Sequence, residues 1–500
     1  MISRSEIKTY TNMSPKFDDI FCSLQSAPKL PKGMIKETKK VIAIARKFNK
    51  EVIRPHALAL DLKMHENPEF LPWDFVEKAN EWGFYTMWIP KIFGGKGYNM
   101  PSMSYFVEEI GSACLAMANL IGVHYLGLCS LTSTWHMRLI NRLCRDVAAG
   151  EKIQTPCLIS LAITEPGAGT DVEEMDLADK GNITCHAEKI TDGYRINGTK
   201  IFISNGHLST WHIVIAYSDL DKPSENSVVL AVKTGTKGFS FGRKERKMGQ
   251  KGCPASELIF KDCFVPDDQI CLDPQQIQGL KRSKRDTAMQ MIDYVLAATR
   301  AGVGAFGTGA ARGAYEVALK FASETVVAGK LLINHEWAQC MLAEMYKNIA
   351  MARLTYAETN YANGLYGSFR EMQKKPMYYY YKFMPAKWLE KMFSPMMDKP
   401  MMTKLFRKKQ MDGQTDDEIH RTSGWGSLAK FSGTDIGIKN CHMALEMMGQ
   451  AGLRHDRGAE KILRDAKLLQ IYEGTNQLNR LNLFKCLIAG DFPQAVVFDE

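Results

Sequence analysis

Apolar positions recur at helical spacing through the first third of the chain. Ile35, Val41, Ile42, Ala45, Phe48, Val52 and Ile53 predict an amphipathic helix. The stretch IPKIFGGKGY, 89–98, breaks that pattern as a turn with Gly94, Gly95 and Gly97, and helical text resumes from Met103 to about Leu143. Near Leu158 the period changes. LISLAIT, GYRINGTKIFIS, WHIVIAY, SVVLAVK and SELIF are short apolar or alternating runs within 158–265, punctuated by Gly, Asn, Asp and Pro, and they predict a small β domain. No strand–helix–strand alternation occurs, so a Rossmann unit is not indicated. From about Met289 the text is helical again. The run 300–324 carries small residues on several faces, which lets a helix lie close to another helix or to a ligand. Segments 335–362 and 433–449 read as two further helices, the second ended by Gly449. There is no internal repeat. The expected division is a leader or arm over 1–33, a helical domain over 34–157, a β domain over 158–278 and a helical bundle over 279–500, with an insertion at about 365–426.

Composition narrows this picture. The chain has 500 residues, 45% hydrophobic and 24% charged, ordinary for a globular protein of two to four structural units. No run of 18 apolar residues exists, so no transmembrane helix is expected. The first 33 residues lack the apolar core of a signal peptide. Twelve cysteines are scattered without Cys-x-x-Cys or Cys/His spacing, which argues against a zinc site or a disulfide framework and for free, mostly buried thiols in a reducing cytoplasm. The net charge of +9 is local. Residues 370–410 hold eleven Lys or Arg against three acids, a net +8. The same segment holds eight methionines, Tyr378–Tyr381, Phe383, Trp388, Phe393 and Phe406, cut by Pro376, Pro385, Pro395 and Pro400. Such text suits an anionic membrane surface or an acidic partner. The alternative is an excursion packed on its own bundle with lysines in solvent.

Three motifs carry candidate chemistry. In TEPGAGTD, 164–171, Pro166, Gly167 and Gly169 force a turn after a strand, where backbone N–H groups can approach a flat or anionic ligand. A plain β turn reads equally well. In GTKIFISNG, 198–206, strand alternation sends Phe202 and Ser204 to one face. A core Phe beside a surface Ser is the simpler reading in isolation. In RDAKLLQIYEGTNQLNR, 464–480, Glu473 precedes Gly474, with Tyr472 and Thr475 beside them. A carboxylate at a glycine turn against an apolar ligand gains pKa by desolvation and suits proton abstraction from carbon. A surface Glu before a turn is the bland alternative.

Together with KMGQKGCPASELIFKDCFVP, 247–266, these motifs resemble the acyl-CoA dehydrogenase family in order and spacing, over roughly 34–364 and 427–490. The resemblance implies an α+β, mainly α fold: an N-terminal helical domain, a middle β domain and a C-terminal four-helix bundle, here with a long insertion. It implies FAD, an acyl-CoA substrate, an electron-transfer flavoprotein as acceptor and a homo-oligomer, dimer or tetramer. Carried over residue by residue, Leu161, Ile163, Thr164, Phe202, Ile203 and Ser204 are expected at the flavin ring. Gly169 and Thr170 are expected at both cofactor and substrate. Thr475, Gln477 and His335 are expected to help hold FAD, and Glu446, Gly449 and Gln450 to reach the adenine end across a subunit interface. Arg300 and Gly474 are expected on the substrate side. Glu473 is expected to remove the α-proton while a hydride passes from the β-carbon to the flavin. Thr299 stands where some relatives carry their base, and it cannot act as one.

The sequence departs from the family at two places. Thr325 and Ala328 replace an arginine and a phenylalanine that help bind FAD in many relatives, and Glu336 and Glu446 replace common glutamines. The basic insertion has no counterpart. Rival readings are an acyl-CoA oxidase, a decarboxylating dicarboxylyl-CoA dehydrogenase and, supported only by the +8 segment, a nucleic-acid-binding flavoprotein.

Overall fold

The computed structural model describes residues 2–10, 22–367, 369–492 and 494–498. The leader expected over 1–33 lies partly outside them. Its described portion includes a short helix, Cys22–Ser26, tied to the bundle where the Ser23 N–H donates to Glu358 Oε1 at 3.1 Å.

Helices come first, then strands, then helices again, as the hydrophobic periodicity predicts. The leading helical unit contains Lys32–Phe48, Arg54–Glu66, Ser102–Ala113, Leu115–Ser133 and Met137–Lys152. Leu115–Ser133 is long and apolar enough to cross a bilayer by length and mean hydropathy, 1.4, although it holds no unbroken run of 18 apolar residues. Its Asn, His, Tyr and Ser residues interrupt the run without lowering the average enough. It is 78% buried within the protein and packs on the sheet, the reading that suits a core helix. His124 on this helix joins two units: Nδ1 accepts from the Ile159 N–H at 3.2 Å and Nε2 lies 3.1 Å from the Tyr85 carbonyl.

The β domain is an eight-stranded sheet. Its strands are β1 (Ile159–Ala162), β2 (His186–Ile190), β3 (Gly193–Ser204), β4 (Trp211–Tyr217), β5 (Ser227–Lys233), β6 (Phe239–Lys244), β7 (Ala255–Pro266) and β8 (Ile270–Leu272). The order is β6-β7-β3-β2-β4-β5-β8, with β1 pairing parallel to β4 from Ile159↔Trp211 to Ala162↔Val214. The register between β3 and β7 shifts between Lys200 and Ile203, where Phe202 takes a φ of 57°. Such a bulge re-aims side chains.

The bundle contains Lys284–Glu324, Glu336–Leu365, Asp416–Met448 and a broken fourth member, Ala459–Lys467 followed by Asn476–Leu483. Lys284–Glu324 and Asp416–Met448 touch backbone to backbone. A Cβ on Gly304 would stand 2.5 Å from the Ala429 carbonyl oxygen, and one on Gly433 2.6 Å from that of Gly304. This is the close approach that the small-residue run predicts.

The third bundle helix begins earlier than the expected end of the insertion at 426. Thr415 caps it, accepting from the Glu418 N–H at 3.2 Å while Glu418 Oε2 accepts from the Thr415 N–H at 3.1 Å. The segment between the two helices is thus 366–415. It folds into Arg370–Gln373, Lys375–Phe383, Ala386–Met397 and Pro400–Met411. Three of its four prolines stand at helix starts, and Pro395 lies inside Ala386–Met397. Its inner face docks on the leading helical unit and on β8 of the sheet. Lys91 Nζ donates to the carbonyls of Tyr381 and Lys382 at 2.9 Å. Arg407 donates to the carbonyls of Thr134 at 2.9 Å and Cys271 at 2.7 Å.

Candidate active site

The fourth bundle helix breaks at the motif that carries Glu473. The chain leaves a 3₁₀ turn at Leu468–Gln470, passes Glu473 at φ 58° and Gly474 at φ 77°, and re-enters a helix capped by Thr475, whose hydroxyl accepts from the Leu478 N–H at 3.2 Å. A glutamate in the left-handed region is strained, and such strain persists only where surroundings hold it.

Two buried cations hold it here. Arg300, 2% exposed, donates from Nε to the Glu473 carbonyl at 3.1 Å and from Nη1 to Ser427 Oγ at 3.0 Å. Lys430, fully buried in mid-helix, donates to the Gly474 carbonyl at 2.6 Å and to Asn476 Oδ1 at 2.7 Å. Asn479 Nδ2 adds a bond to the Gly474 carbonyl at 3.0 Å. With the turn's carbonyls satisfied from behind, its side chain faces the other way.

That other side is a cavity of about 630 Å³, a usual size for a small-molecule site. Its walls come from all three units. The end of β1 gives Leu161, Ile163 and Thr164, the following turn gives Gly169 and Thr170, and the bulge in β3 gives Phe202, Ile203 and Ser204. All three bulge residues line the space, so the strict alternation expected of Phe202 and Ser204 does not hold. The remaining wall is mostly apolar and is shared by Leu115–Ser133 and Lys284–Glu324, through residues such as Val123, Leu126, Val295 and Val303. Glu473, Gly474 and Thr475 close it.

Glu473 Oε2 accepts from Thr299 Oγ1 at 2.6 Å. Burial in this apolar setting raises its pKa to about 7, with the Thr299 hydroxyl, Arg300 and Lys430 pulling down and Glu173 pushing up. Burial, reinforced by the Arg300 charge, lowers Lys430 to about 7. Glu173 stands within the same cluster. Its Oε2 is 3.8 Å from Arg300 Nη2 and has no hydrogen-bond partner, and burial raises its pKa.

Ten of the expected residues therefore meet around one space: Leu161, Ile163, Thr164, Gly169, Thr170, Phe202, Ile203, Ser204, Gly474 and Thr475, with Glu473 at its edge. Others do not. Arg300 lies behind the turn, with its guanidinium spent on Glu473, Ser427 and Glu173, and it does not line the cavity. Gln477, Glu446, Gly449 and Gln450 are exposed on the surface of the single chain. His335 Nε2 lies 2.9 Å from the Val327 carbonyl, beside a hairpin that carries Ala328 at φ 46° in place of the family's phenylalanine. Sequence reasoning missed Glu173, Lys430 and the Thr299 bond. The one available signal for Lys430 was a lone lysine among small residues in SLAKFSG.

The flavin end of an FAD site fits these residues. A Cβ added at Gly169 or Gly302 would meet nothing within 4 Å, so backbone borders open cavity at both positions. The space is apolar, and strand-end and turn backbone lies along one side, as a flat ring system requires.

A helical–β–helical scaffold with a desolvated carboxylate facing such a space defines a flavoprotein oxidoreductase of the desaturating class. The chain matches the family profiles "Acyl-CoA dehydrogenase, N-terminal domain" over 36–136, "middle domain" over 160–263 and "C-terminal domain" over 289–363 and 407–488. It belongs to the acyl-CoA dehydrogenase family, whose cofactor is FAD, and is an oxidoreductase acting on acyl-CoA. Among its relatives is the probable acyl-CoA dehydrogenase fadE25 of Mycobacterium leprae, 27% identical over 461 residues, which are 92% of this chain and 96% of that protein. Cyclohex-1-ene-1-carbonyl-CoA dehydrogenase of Geobacter metallireducens is 27% identical over 457 residues, 91% of this chain and 99% of that one. The fold matches the solved butyryl-CoA dehydrogenase of Megasphaera elsdenii with a TM-score of 0.68 at 22% identity, covering 90% of this chain and 98% of the other.

Proposed function

We propose that this enzyme desaturates the α,β bond of an acyl-CoA with an apolar acyl chain, with Glu473 as the base that removes the α-proton. The observation that carries the reading is the Glu473 carboxylate, held in a strained turn at the edge of an apolar cavity with its pKa raised to about 7. A thioester α-hydrogen is a weak acid, so a base poised near neutrality is what its removal asks for. FAD, when bound, supplies the two-electron acceptor. Leu161–Thr164, Gly169, Thr170 and Phe202–Ser204 would hold its ring. Gly474 and Thr170 would border the thioester, and the Glu473 N–H would donate to the thioester oxygen as charge develops there. Arg300 acts indirectly, by fixing the Glu473 carbonyl.

An electron-transfer flavoprotein is the proposed partner that takes the electrons onward. A homo-oligomer is proposed as well. Exposed Trp337, Met351 and Leu354, within about 100° of one another around Glu336–Leu365, supply an apolar face for it, next to the surface carrying His335. A dicarboxylyl-CoA is disfavoured, because among the described residues no arginine lines the cavity. The Lys247 ammonium, which does line it, is bonded to the Cys253 carbonyl.

The test is a panel of acyl-CoA thioesters of graded length and terminal polarity, followed by flavin bleaching with an artificial acceptor and, separately, by oxygen uptake. Turnover of apolar chains without oxygen uptake supports the reading. Preference for dicarboxylyl thioesters, or rapid oxygen consumption, rejects it.

A further inference from the structure

The insertion has two faces of opposite character. Its inner stripe, with Tyr378, Leu389, Met397, Arg407 and Met411, is buried against the protein. Outward, Trp388, Met392 and Met396 stand four residues apart along Ala386–Met397, and Met401 and Leu405 do so along Pro400–Met411. Phe383 is 76% exposed, Met401 68% and Leu405 56%, high for side chains of this kind.

Lysines flank these rows. Lys387, Lys391, Lys399, Lys404 and Lys408 are exposed and have no carboxylate partner among the described residues. The acids within 370–410 are fewer than these lysines. Glu390 pairs with Arg145 at 3.0 Å and Glu371 with Lys374 at 2.8 Å, while Asp398, bonded by the neutral Asn141 amide at 2.9 Å, keeps its charge as one acid against the five lysines. The outward field is therefore basic, with apolar side chains standing in it.

We propose that the outer face of 375–411 docks the enzyme on the surface of an anionic lipid bilayer. Lysines around an exposed apolar row match the anionic headgroups, while Phe383, Met401 and Leu405 reach the acyl boundary and Trp388 takes the interfacial position favoured by indole. A free phosphate ion would account for the lysines and leave the apolar rows unexplained. A symmetric contact with a second copy would set the same lysines against each other. The bonds from Lys91, Asn141 and Arg407 hold the three helices in place, so the face is organised before it meets lipid. Docking concerns this face alone and does not depend on the identity of the acyl-CoA.

The experiment is co-sedimentation of the full-length holoenzyme with vesicles of zwitterionic phospholipid, with and without an anionic phospholipid. A charge-reversed variant carries K387E, K391E, K404E and K408E, and a second variant carries F383S, M401S and L405S. Wild type is expected to pellet with anionic vesicles and to be released by salt. Charge reversal should lower binding at least about tenfold, since each lysine near such a surface contributes roughly fivefold. The apolar variant should also bind more weakly, and both should oxidise acyl-CoA normally without lipid. Wild type left in the supernatant overturns the proposal. So does equal pelleting of the charge-reversed variant, or equal binding to purely zwitterionic vesicles. A changed oligomeric mass of the charge-reversed variant on gel filtration would reassign the face to contact between copies.

Discussion

The Thr299 hydroxyl donates to Glu473 Oε2 at 2.6 Å, joining the first bundle helix to the turn that breaks the last. The bond favours the ionised carboxyl, so it tempers the upward push of burial. As the proposed base, Glu473 works ionised, and kcat/KM should therefore rise with pH through about 7. Removing the donor in Thr299→Val moves this limb to higher pH. The variant loses activity at about pH 6 and approaches wild type at about pH 9. A limb that stays put, read from pH–rate profiles of both proteins, disproves the assignment.

Glu173→Gln should act in the opposite direction. The Glu173 carboxyl faces the same turn and raises the Glu473 pKa, with Arg300 and Lys430 opposing it. Removing that negative charge stabilises ionised Glu473, so the limb moves to lower pH and activity at about pH 6 increases relative to wild type. Measured flavin content should not change.

Glu473→Gln keeps the shape of the turn and removes the proposed base. It should retain bound flavin and lose at least several hundredfold in kcat, the scale of general-base loss. Linkage supplies a second readout. A carboxyl raised from 4.5 to about 7 in the folded state holds its proton more tightly there than in the unfolded chain, so its contribution to stability is lost as pH rises from about 4.5 to 7. The Gln variant should then be more stable than wild type at about pH 8, by on the order of 3 kcal/mol, with the difference shrinking towards about pH 5. Equal melting temperatures in the alkaline range would show that the carboxyl is not desolvated.

Lys430→Met takes the closer of two buried donors from the Gly474 carbonyl, leaving it Asn479 Nδ2 at 3.0 Å, and removes the 2.7 Å donor from Asn476 Oδ1, a loss of about 1–3 kcal/mol of support for the turn. We expect kcat to fall roughly tenfold with KM little changed, because Lys430 touches the turn from behind and does not line the cavity. Partial rescue by Lys430→Arg would mark a positioning role. An unaltered kcat in the Met variant would exclude one.

Much of this arrangement is legible in the chain itself. Periodicity separates helical, β and helical thirds where an element buries one face, as Lys32–Phe48 does through Met34, Val41, Ala45 and Phe48, and the glycine turns announce where backbone borders the cavity. Legibility fails where long-range packing decides. Arg300 sits one residue from Thr299, yet only the crossing of Asp416–Met448 turns its guanidinium away from the cavity and onto Ser427. Nothing local marks Glu173 as a neighbour of Gly474, whose added Cβ would stand 2.9 Å from its Oε2. The bulge at Phe202 likewise depends on β7 as its partner. The start of Asp416–Met448 was readable in principle, since Thr415 and Glu418 form a capping box, but the charged text that follows reads like more of the insertion.

Met291 and Ser133 line both the main cavity and a second one of about 150 Å³, bounded also by Trp135, Tyr294, Tyr366 and Phe406. Met291 precedes Thr299 by eight residues on one helix, so the shared wall lies about 12 Å along the axis from the base. The second cavity is closed in part by the insertion, through Phe406 and Met411. A methionine is an unbranched, adaptable side chain that can yield to a ligand tail. Long acyl chains should pass Met291 and use this extra space, whereas short ones should end before it. Met291→Trp fills the boundary, and kcat/KM for long-chain thioesters should fall at least about tenfold while short-chain values stay within about twofold, as expected when several buried methylenes are displaced. A uniform loss at every chain length would instead mean that the introduced indole disturbs the helix, and unchanged long-chain turnover would place the acyl tail elsewhere in the cavity.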